Sequence, residues 1–134
     1  MASWLLKTEP GEFSWDDLER DGGTVWNGVT SAPALKHIRS IRNGDEAIVY
    51  HTGDERQAVG LARVTSDPYP DPAAGDPRLV VFDLVPVRRL ARPVTLAEVK
   101  ADPAFAGFTL VREPRLSVMP VPPARWRRLL AKAG

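Results

Sequence analysis

The chain has 134 residues, of which 43% are apolar and 26% charged, and its formal net charge at pH 7 is +1. These values predict one soluble globular domain covering residues 1–134. The absence of cysteine excludes disulfides, thiolate catalysis and cysteine-ligated metals, and two histidines leave little for any other metal site. No apolar run approaches the roughly 20 residues of a membrane span, and the start lacks a basic signal region. We therefore expect a cytoplasmic protein with no metal, cofactor or membrane partner.

In chain order, the first predicted elements are a strand and two helices. The apolar run 3–8 stops at a proline and a glycine, which predicts a short buried strand. Ser14 then caps a short helix over 15–21, whose acidic first turn suits the helix dipole. A second helix begins at Ser31, has proline in its first turn and extends to Asn43-Gly44.

The rest of the chain predicts four more strands, two of them joined as a hairpin, and two more helices. A four-proline stretch predicts a surface loop, because proline donates no hydrogen bond to a sheet. A threonine three residues before a glutamate forms a capping box at a helix start. In order, the elements are a hairpin of strands 46–51 and 58–64, the loop 67–77, a strand 79–85, a helix capped at Thr95 that ends near Ala101, an edge strand 116–121 and a helix from Pro123.

These elements predict the fold class. They total five to seven short strands and three or four short helices, which is an α+β composition. Because the strands do not alternate regularly with long crossover helices, a doubly wound parallel sheet is disfavoured. We expect a mixed or mostly antiparallel small barrel with short helices packed on its rim.

Seven short motifs, followed by Pro120, occur in an order that resembles a known family. They are WLLKTEP at 4–10, WNGV at 26–29, YH at 50–51, VGLA at 59–62, YPDP at 69–72, RPVTLAE at 92–98 and RLSV at 115–118. Together they resemble the EVE domain family, PUA-like barrels related to thymocyte nuclear protein 1, over nearly the whole chain. The resemblance implies a PUA-like pseudobarrel of about five strands with a pocket on its concave face. It also implies recognition of nucleic acid, in several relatives through a modified base extruded from the helix, and no catalytic activity.

The pocket segment differs from that of the better-described eukaryotic members of this family. They carry Trp-Asp-Gly-Val-Arg-Asn-Tyr-Gln-Ala-Arg-Asn where this chain has WNGVTSAPALK at 26–36. In this chain Asn27 replaces the Asp of that motif, Thr30 its first Arg, Ala32 its Tyr and Leu35 its second Arg. The loss of charge and of one aromatic ring bears on which ligand is bound, and the segment resembles a bacterial subgroup instead.

Seven residues are candidates for binding a base: Trp26, Asn27, Gly28, Thr30, Ser31, Tyr50 and His51. A tryptophan ring offers a stacking wall, an asparagine amide both donates and accepts, and a glycine lets a ligand approach the backbone. Each class has a structural alternative: a core tryptophan, a turn asparagine with positive φ, a serine helix cap and a histidine at the barrel rim. Side-chain alternation along a strand sends neighbouring residues 50 and 51 to opposite faces.

Five residues are candidates for the pocket rim or for phosphate contacts: Lys7, Glu9, Lys36, Arg115 and Ser117. Residues 7 and 9 share one side of an extended strand, so they either pair with each other or contact the ligand. Residues 115 and 117 have the same spacing, and the arginine either binds phosphate through its planar fork or fixes the strand. The chain is net acidic over 1–75 and net basic over 76–134, which predicts a phosphate-binding face unless the charges are scattered.

Two functions follow from these patterns. The first is a non-catalytic domain, expected to be monomeric, that reads a modified or flipped-out base of DNA or RNA in an aromatic pocket. The alternative is a binder of a free nucleobase, nucleotide or related metabolite, which the reduced charge of segment 26–36 favours. No nucleophile elbow, phosphate loop or zinc-protease motif occurs, so we assign no catalytic residue.

Overall fold

The computed structural model describes all residues from 1 to 134 as a seven-stranded sheet with short helices. The strands are β1 Ser3–Thr8, β2 Thr24–Trp26, β3 Glu46–His51, β4 Gln57–Val64, β5 Tyr69–Pro70, β6 Val80–Thr95 and β7 Val118–Pro120. The helices are α1 Trp15–Asp21, α2 Ala32–Ile38, α3 Leu96–Ala101, α4 Thr109–Arg112 and α5 Pro123–Lys132, with a 3-10 helix over Pro103–Phe105. No helix has both the length and the apolar character that a bilayer crossing requires.

The sheet is mixed, as the sequence predicted. Its strand order is β2-β6-β4-β3-β1-β7, and β5 pairs separately with the start of β6. Only β1 and β3 run parallel to each other, and every other pair is antiparallel. The strand β7 lies at one edge of the sheet. An edge strand tolerates Pro120, because proline has no N–H to donate between two interior strands.

Irregular pairing curls this sheet into a half-barrel. The register shifts once between β3 and β4, at Val49/Tyr50, and twice between β4 and β6. Such bulges bend a strand and increase its twist. The predicted strand end at residue 85 is wrong, because β6 continues for ten more residues through Pro86 and Pro93. Pro86 lies at one of the two register shifts with β4, where the ladder does not need its missing N–H.

A single core of 34 buried residues fills the half-barrel. Trp15, at the start of α1, is fully enclosed within it. Its ring lies directly on Gly60 of β4, where an added Cβ would stand 2.4 Å from three ring carbons. A glycine at position 60 is therefore what allows α1 to pack this closely against the sheet.

One helical prediction is wrong, and two short helices were not predicted. Helix α2 ends at Ile38 rather than continuing to residue 43, because the chain leaves it through tight turns such as Ile41 N–H to Ile38 C=O. The buried carboxylate of Asp45 then takes the N–H of Arg42 at 3.0 Å, which favours the turn over a further helical residue. The helices within residues 103–112 lacked a sequence signal strong enough to predict them, since each spans at most four residues.

Candidate functional site

A cleft of about 550 Å³ opens where four segments of the chain converge. They are the end of β1, the loop before α1, the segment from β2 to the start of α2, and the loop before β7. The volume lies within the usual range for small-molecule pockets. The cleft is therefore large enough for a ligand of nucleoside size.

Nine of the twelve predicted site residues line this cleft: Lys7, Glu9, Trp26, Asn27, Gly28, Thr30, Ser31, Arg115 and Ser117. The other three, Lys36, Tyr50 and His51, do not. Six lining residues were missed: Thr8, Glu12, Phe13, Thr24, Val25 and Val29. Phe13 had a signal, because an aromatic residue directly before a helix cap often marks a packed entry to the helix.

Trp26 belongs both to the core and to the cleft. Only 6% of its surface is exposed, and Phe13 packs edge-to-face against it with ring centroids 6.3 Å apart. The alternative expectation for Trp26, a buried core tryptophan, is therefore correct for its burial. The Trp26 indole N–H has no protein acceptor. It is not sealed from solvent, because the one fully buried side-chain nitrogen without a partner is that of Trp15. Trp26 thus presents a ring portion and a free donor rather than a broad open face.

The Asn27-Gly28 pair lies in the irregular segment that follows β2. Gly28 has φ +80°, a conformation that costs any other residue energy, whereas Asn27 has a negative φ. The expectation that Asn27 itself tolerates a positive φ is therefore wrong. Its exposed amide hydrogen-bonds to no protein group, so both its donor and its acceptor are open to a ligand.

Ser31 occupies the N-cap position of α2 but does not cap it with its side chain. A capping oxygen accepts the N–H of the second or third helical residue, and here the second is Pro33, which has none. The capping alternative is thus wrong for the hydroxyl. Together with the neighbouring exposed Thr30, Ser31 gives the cleft two hydroxyl groups without protein partners.

Lys7 and Glu9 do not form the ion pair that was one of their two expected roles. The Lys7 ammonium donates to the Pro114 carbonyl at 2.9 Å and lies 5.9 Å from the centre of the Tyr50 ring. The Glu9 carboxylate instead accepts the N–H of Gly11 at 2.7 Å. Burial lowers the pKa of Lys7, because its charged form loses hydration with no carboxylate nearby to replace it.

Tyr50 and His51 belong to the scaffold beneath the cleft. His51 is buried; its Nε2 accepts the Trp15 N–H at 3.0 Å, so the proton of the neutral ring lies on Nδ1, which donates to Glu55 at 2.9 Å. The hydrogen bond from His51 lowers the pKa of Glu55. Burial raises the pKa of Tyr50. The centre of the Tyr50 ring lies 5.9 Å from the Lys7 ammonium. Neither nitrogen of His51 is left for a ligand, and the rim position expected as its alternative is wrong.

Arg115 is the exposed cation of the cleft. It makes no ion pair, unlike Arg112 and Arg128 on either side of it in the chain. Ser117 is half-buried, and its carbonyl accepts the N–H of Lys7 at 2.9 Å. Lys36 lies on the exposed surface of α2, outside the cleft.

The cleft as a whole is balanced in charge and rich in uncommitted hydrogen-bonding groups. Its ionic side chains are two cations and two carboxylates, from Lys7, Arg115, Glu9 and Glu12. No group of three or more His, Cys, Asp or Glu side chains is arranged to hold a metal ion. Such a site suits a flat, partly polar ligand with an anionic end.

Comparisons with known proteins agree on one family. The family model described as "EVE domain" matches residues 2–132. Thymocyte nuclear protein 1 of Rattus norvegicus is 30% identical over 88% of this chain and 67% of its own length. The NMR structure of a Rhodopseudomonas palustris protein is 39% identical, covers 100% of this chain and 93% of its own, and superposes with a TM-score of 0.92.

A third relative was solved with a ligand. The crystal structure of human thymocyte nuclear protein 1 in complex with 5-methylcytosine-containing DNA is 25% identical, covers 99% of this chain and 98% of its own, and has a TM-score of 0.91. The half-barrel described above is thus the PUA-like fold that the sequence predicted.

Proposed function

Because this chain belongs to the EVE domain family, we propose that it binds nucleic acid and takes one modified, extruded base of DNA or RNA into the cleft beside Trp26. The observation that carries the proposal is the cleft itself, which combines an accessible portion of the Trp26 ring, uncommitted polar groups and unpaired cations. The human relative solved with 5-methylcytosine-containing DNA supports it. The first base to test is therefore 5-methylcytosine.

The polar groups of the cleft match the edge of a base. Enzymes and readers that extrude a base recognise it by hydrogen bonds to its pairing edge and by contact with apolar side chains. The Asn27 amide can both donate and accept, and the Glu9 and Glu12 carboxylates can accept from an exocyclic amino group. The Trp26 indole N–H supplies one more donor at the apolar wall.

The two cations of the cleft match the phosphate backbone that accompanies such a base. Arg115 is exposed and unpaired, so its planar fork is free for a phosphate. Lys7 is partly desolvated without a carboxylate partner, and a nearby phosphate would favour its charged form again. A bound anion would thus stabilise the charged forms of both residues, and the protein itself supplies no such anion.

The proposed role is binding rather than catalysis. His51, the one histidine near this region, uses both ring nitrogens within the scaffold and has none free to move a proton for a substrate. The uncommitted hydroxyls and amide of the cleft orient a ligand but are weak acids and bases. This arrangement supports recognition without turnover.

The proposal is tested by fluorescence anisotropy of labelled single and double strands containing cytosine, 5-methylcytosine or 5-hydroxymethylcytosine. We expect the wild type to prefer a modified strand and Asn27→Ala to weaken that binding by roughly tenfold, the effect of losing a hydrogen bond or two to a base edge. The matched control is Lys36→Ala, an exposed residue of α2 outside the cleft, which should change affinity less than about twofold because a single surface charge contributes little.

Equal binding of all strands, or equal losses in both variants, would contradict the proposed pocket.

The alternative function, binding of a free nucleobase or nucleotide, is favoured by the charge balance within the cleft. It predicts tight binding of the free nucleoside with little dependence on salt. Polynucleotide binding instead weakens steeply as salt rises, because condensed counterions are released.

A further inference from the structure

A second cavity adjoins the cleft and shares two residues with it. It has a volume of about 460 Å³, and the shared residues are Ser31 and Arg115. Its other walls are Pro33, Glu113, Pro114 and Leu116. Apart from Glu113, which is paired with Arg112, these walls are apolar. The two cavities therefore lie next to each other, and they differ in chemistry.

A tight turn places Arg115 at the junction. The Leu116 N–H donates to the Glu113 carbonyl at 3.1 Å, which makes Pro114 and Arg115 the central residues of a β-turn. Proline suits the first central position because its φ is fixed. The Lys7 ammonium holds the turn from the side of the cleft through its hydrogen bond to the Pro114 carbonyl.

We propose that the second cavity holds the nucleotide next to the recognised base in the same strand, with Arg115 bound to the phosphate that joins the two. This inference rests on the proposed function of the cleft. A polynucleotide offers one anion for each pair of adjacent nucleosides, and the structure offers one unpaired cation between two adjacent cavities. The proline and leucine walls suit the apolar face of the neighbouring base, and the shared Ser31 hydroxyl can also donate to the phosphate.

Another depression touches the other side of the cleft, at Thr30, but fits a strand less well. It is lined by Arg39 and Arg78. The Arg78 guanidinium is already paired with Asp76 at 2.9 Å, and Arg39 donates to the Arg78 carbonyl at 3.0 Å. It shares only Thr30 with the cleft, whereas the second cavity shares a cation and a hydroxyl. The path for the strand thus runs past Arg115.

The test measures the affinity of a graded set of probes by isothermal titration calorimetry. The probes are 5-methyl-2′-deoxycytidine, its 5′- and 3′-monophosphates, dinucleotides extended by thymidine on either side, and the same dinucleotides with an abasic neighbour. One dinucleotide should bind roughly tenfold more tightly than the matching monophosphate, as stacking of a single base commonly gives. The abasic form should lose that gain.

Arg115→Ala should weaken the dinucleotide by roughly tenfold, the usual effect of losing a hydrogen bond to a charged group, and should weaken the free nucleoside much less, because that probe carries no phosphate. The matched control is Arg39→Ala, which removes another exposed arginine without a carboxylate partner, from the opposite side of the cleft. We expect this variant to keep the full gain in affinity of the dinucleotide over the matching monophosphate.

Three results would overturn the inference: no gain from a neighbouring base on either side, a dinucleotide affinity that Arg115→Ala leaves unchanged, or a gain that Arg39→Ala removes. These outcomes are distinct from failure of the proposed function. If the cleft does not read a base, neither the nucleoside nor any longer probe binds the wild type with a preference for the modified base.

Discussion

At the scale of single residues, the cleft is defined by which polar groups the fold leaves uncommitted. Asn27 and Ser31 occupy loop and cap positions where side chains usually bond to their own backbone, yet here they do not. His51 shows the opposite, since both of its nitrogens are used inside the protein. Residue type predicts the hydrogen bonds a side chain can make, and only the local backbone decides which of them remain for a ligand.

The contact between Trp15 and Gly60 gives a prediction at this scale. Gly60→Ala should lower the free energy of unfolding by about 3 kcal/mol, because a methyl group 2.4 Å from an enclosed ring forces repacking. Urea denaturation measures the change.

The control for this prediction is Gly75→Ala, where φ is +67° but nothing lies within 4 Å of the added methyl. It should cost only about 1 kcal/mol of backbone strain. A Gly60→Ala protein as stable as the wild type would mean that Trp15 does not pack on this glycine.

At the scale of elements, the sequence predicted those whose signals are local. The Ser14 cap of α1 and the capping box of α3 at Thr95 form as expected, and Ser14 also forms a capping box with Asp17 that was not predicted. The length of β6 could not be predicted, because prolines within it normally end a strand and are tolerated only where distant β4 shifts register. The early end of α2 depends on the buried Asp45, which also accepts from Ala2 and Trp4 of the first strand region, 43 and 41 residues away in sequence.

Helix α5 is joined to the 3-10 helix by a buried carboxylate, which predicts a pH dependence. Asp102 accepts from Arg128 at 2.8 Å and from the Ala104 N–H at 3.0 Å, and the Lys132 ammonium lies 3.1 Å away. The hydrogen bond from Arg128 is the main reason that the pKa of Asp102 is held well below its usual range. The ionised form is therefore favoured in the folded state.

Because the folded pKa lies below the unfolded value, the stabilisation from Asp102 is fully present above about pH 4. It is lost as the pH falls from there toward the folded pKa. Asp102→Asn should thus lower the free energy of unfolding at pH 7, and its difference from wild type should narrow below about pH 4. Chemical denaturation across pH measures it, with the exposed Asp54→Asn as the control. A difference that is constant with pH would contradict the ionic role.

At the scale of the whole molecule, ion pairs take up part of the basic excess of the second half of the chain. Arg89 pairs with Asp16 and Glu19 of α1, and four of the other eight arginines of this half have carboxylate partners of their own. The phosphate-binding face of this half stays a prediction. The small net charge and the balanced cleft together predict modest affinity that depends on the pocket rather than on a broad basic surface.

The site was predictable to the extent that one continuous segment builds it. Residues 26–31 are adjacent in sequence and contribute much of the cleft. The opposite walls, from Phe13 and Glu12, come from a loop whose position depends on how α1 packs on the sheet through Trp15. The one local signal, an aromatic residue directly before the Ser14 cap, indicates a packed helix entry but not the position of this loop over the cleft, which is why these residues were missed.

The most direct test of the central claim follows the indole N–H signals of the tryptophans by NMR while a DNA strand containing 5-methylcytosine is added. Trp26 lines the cleft with a free N–H, whereas Trp4 donates to Asp45 at 2.9 Å and Trp15 is fully enclosed, so the protein carries its own controls. Our account predicts a saturable shift of the Trp26 signal with the Trp4 and Trp15 signals unchanged. Saturable binding that leaves Trp26 unmoved would place the ligand elsewhere and contradict it.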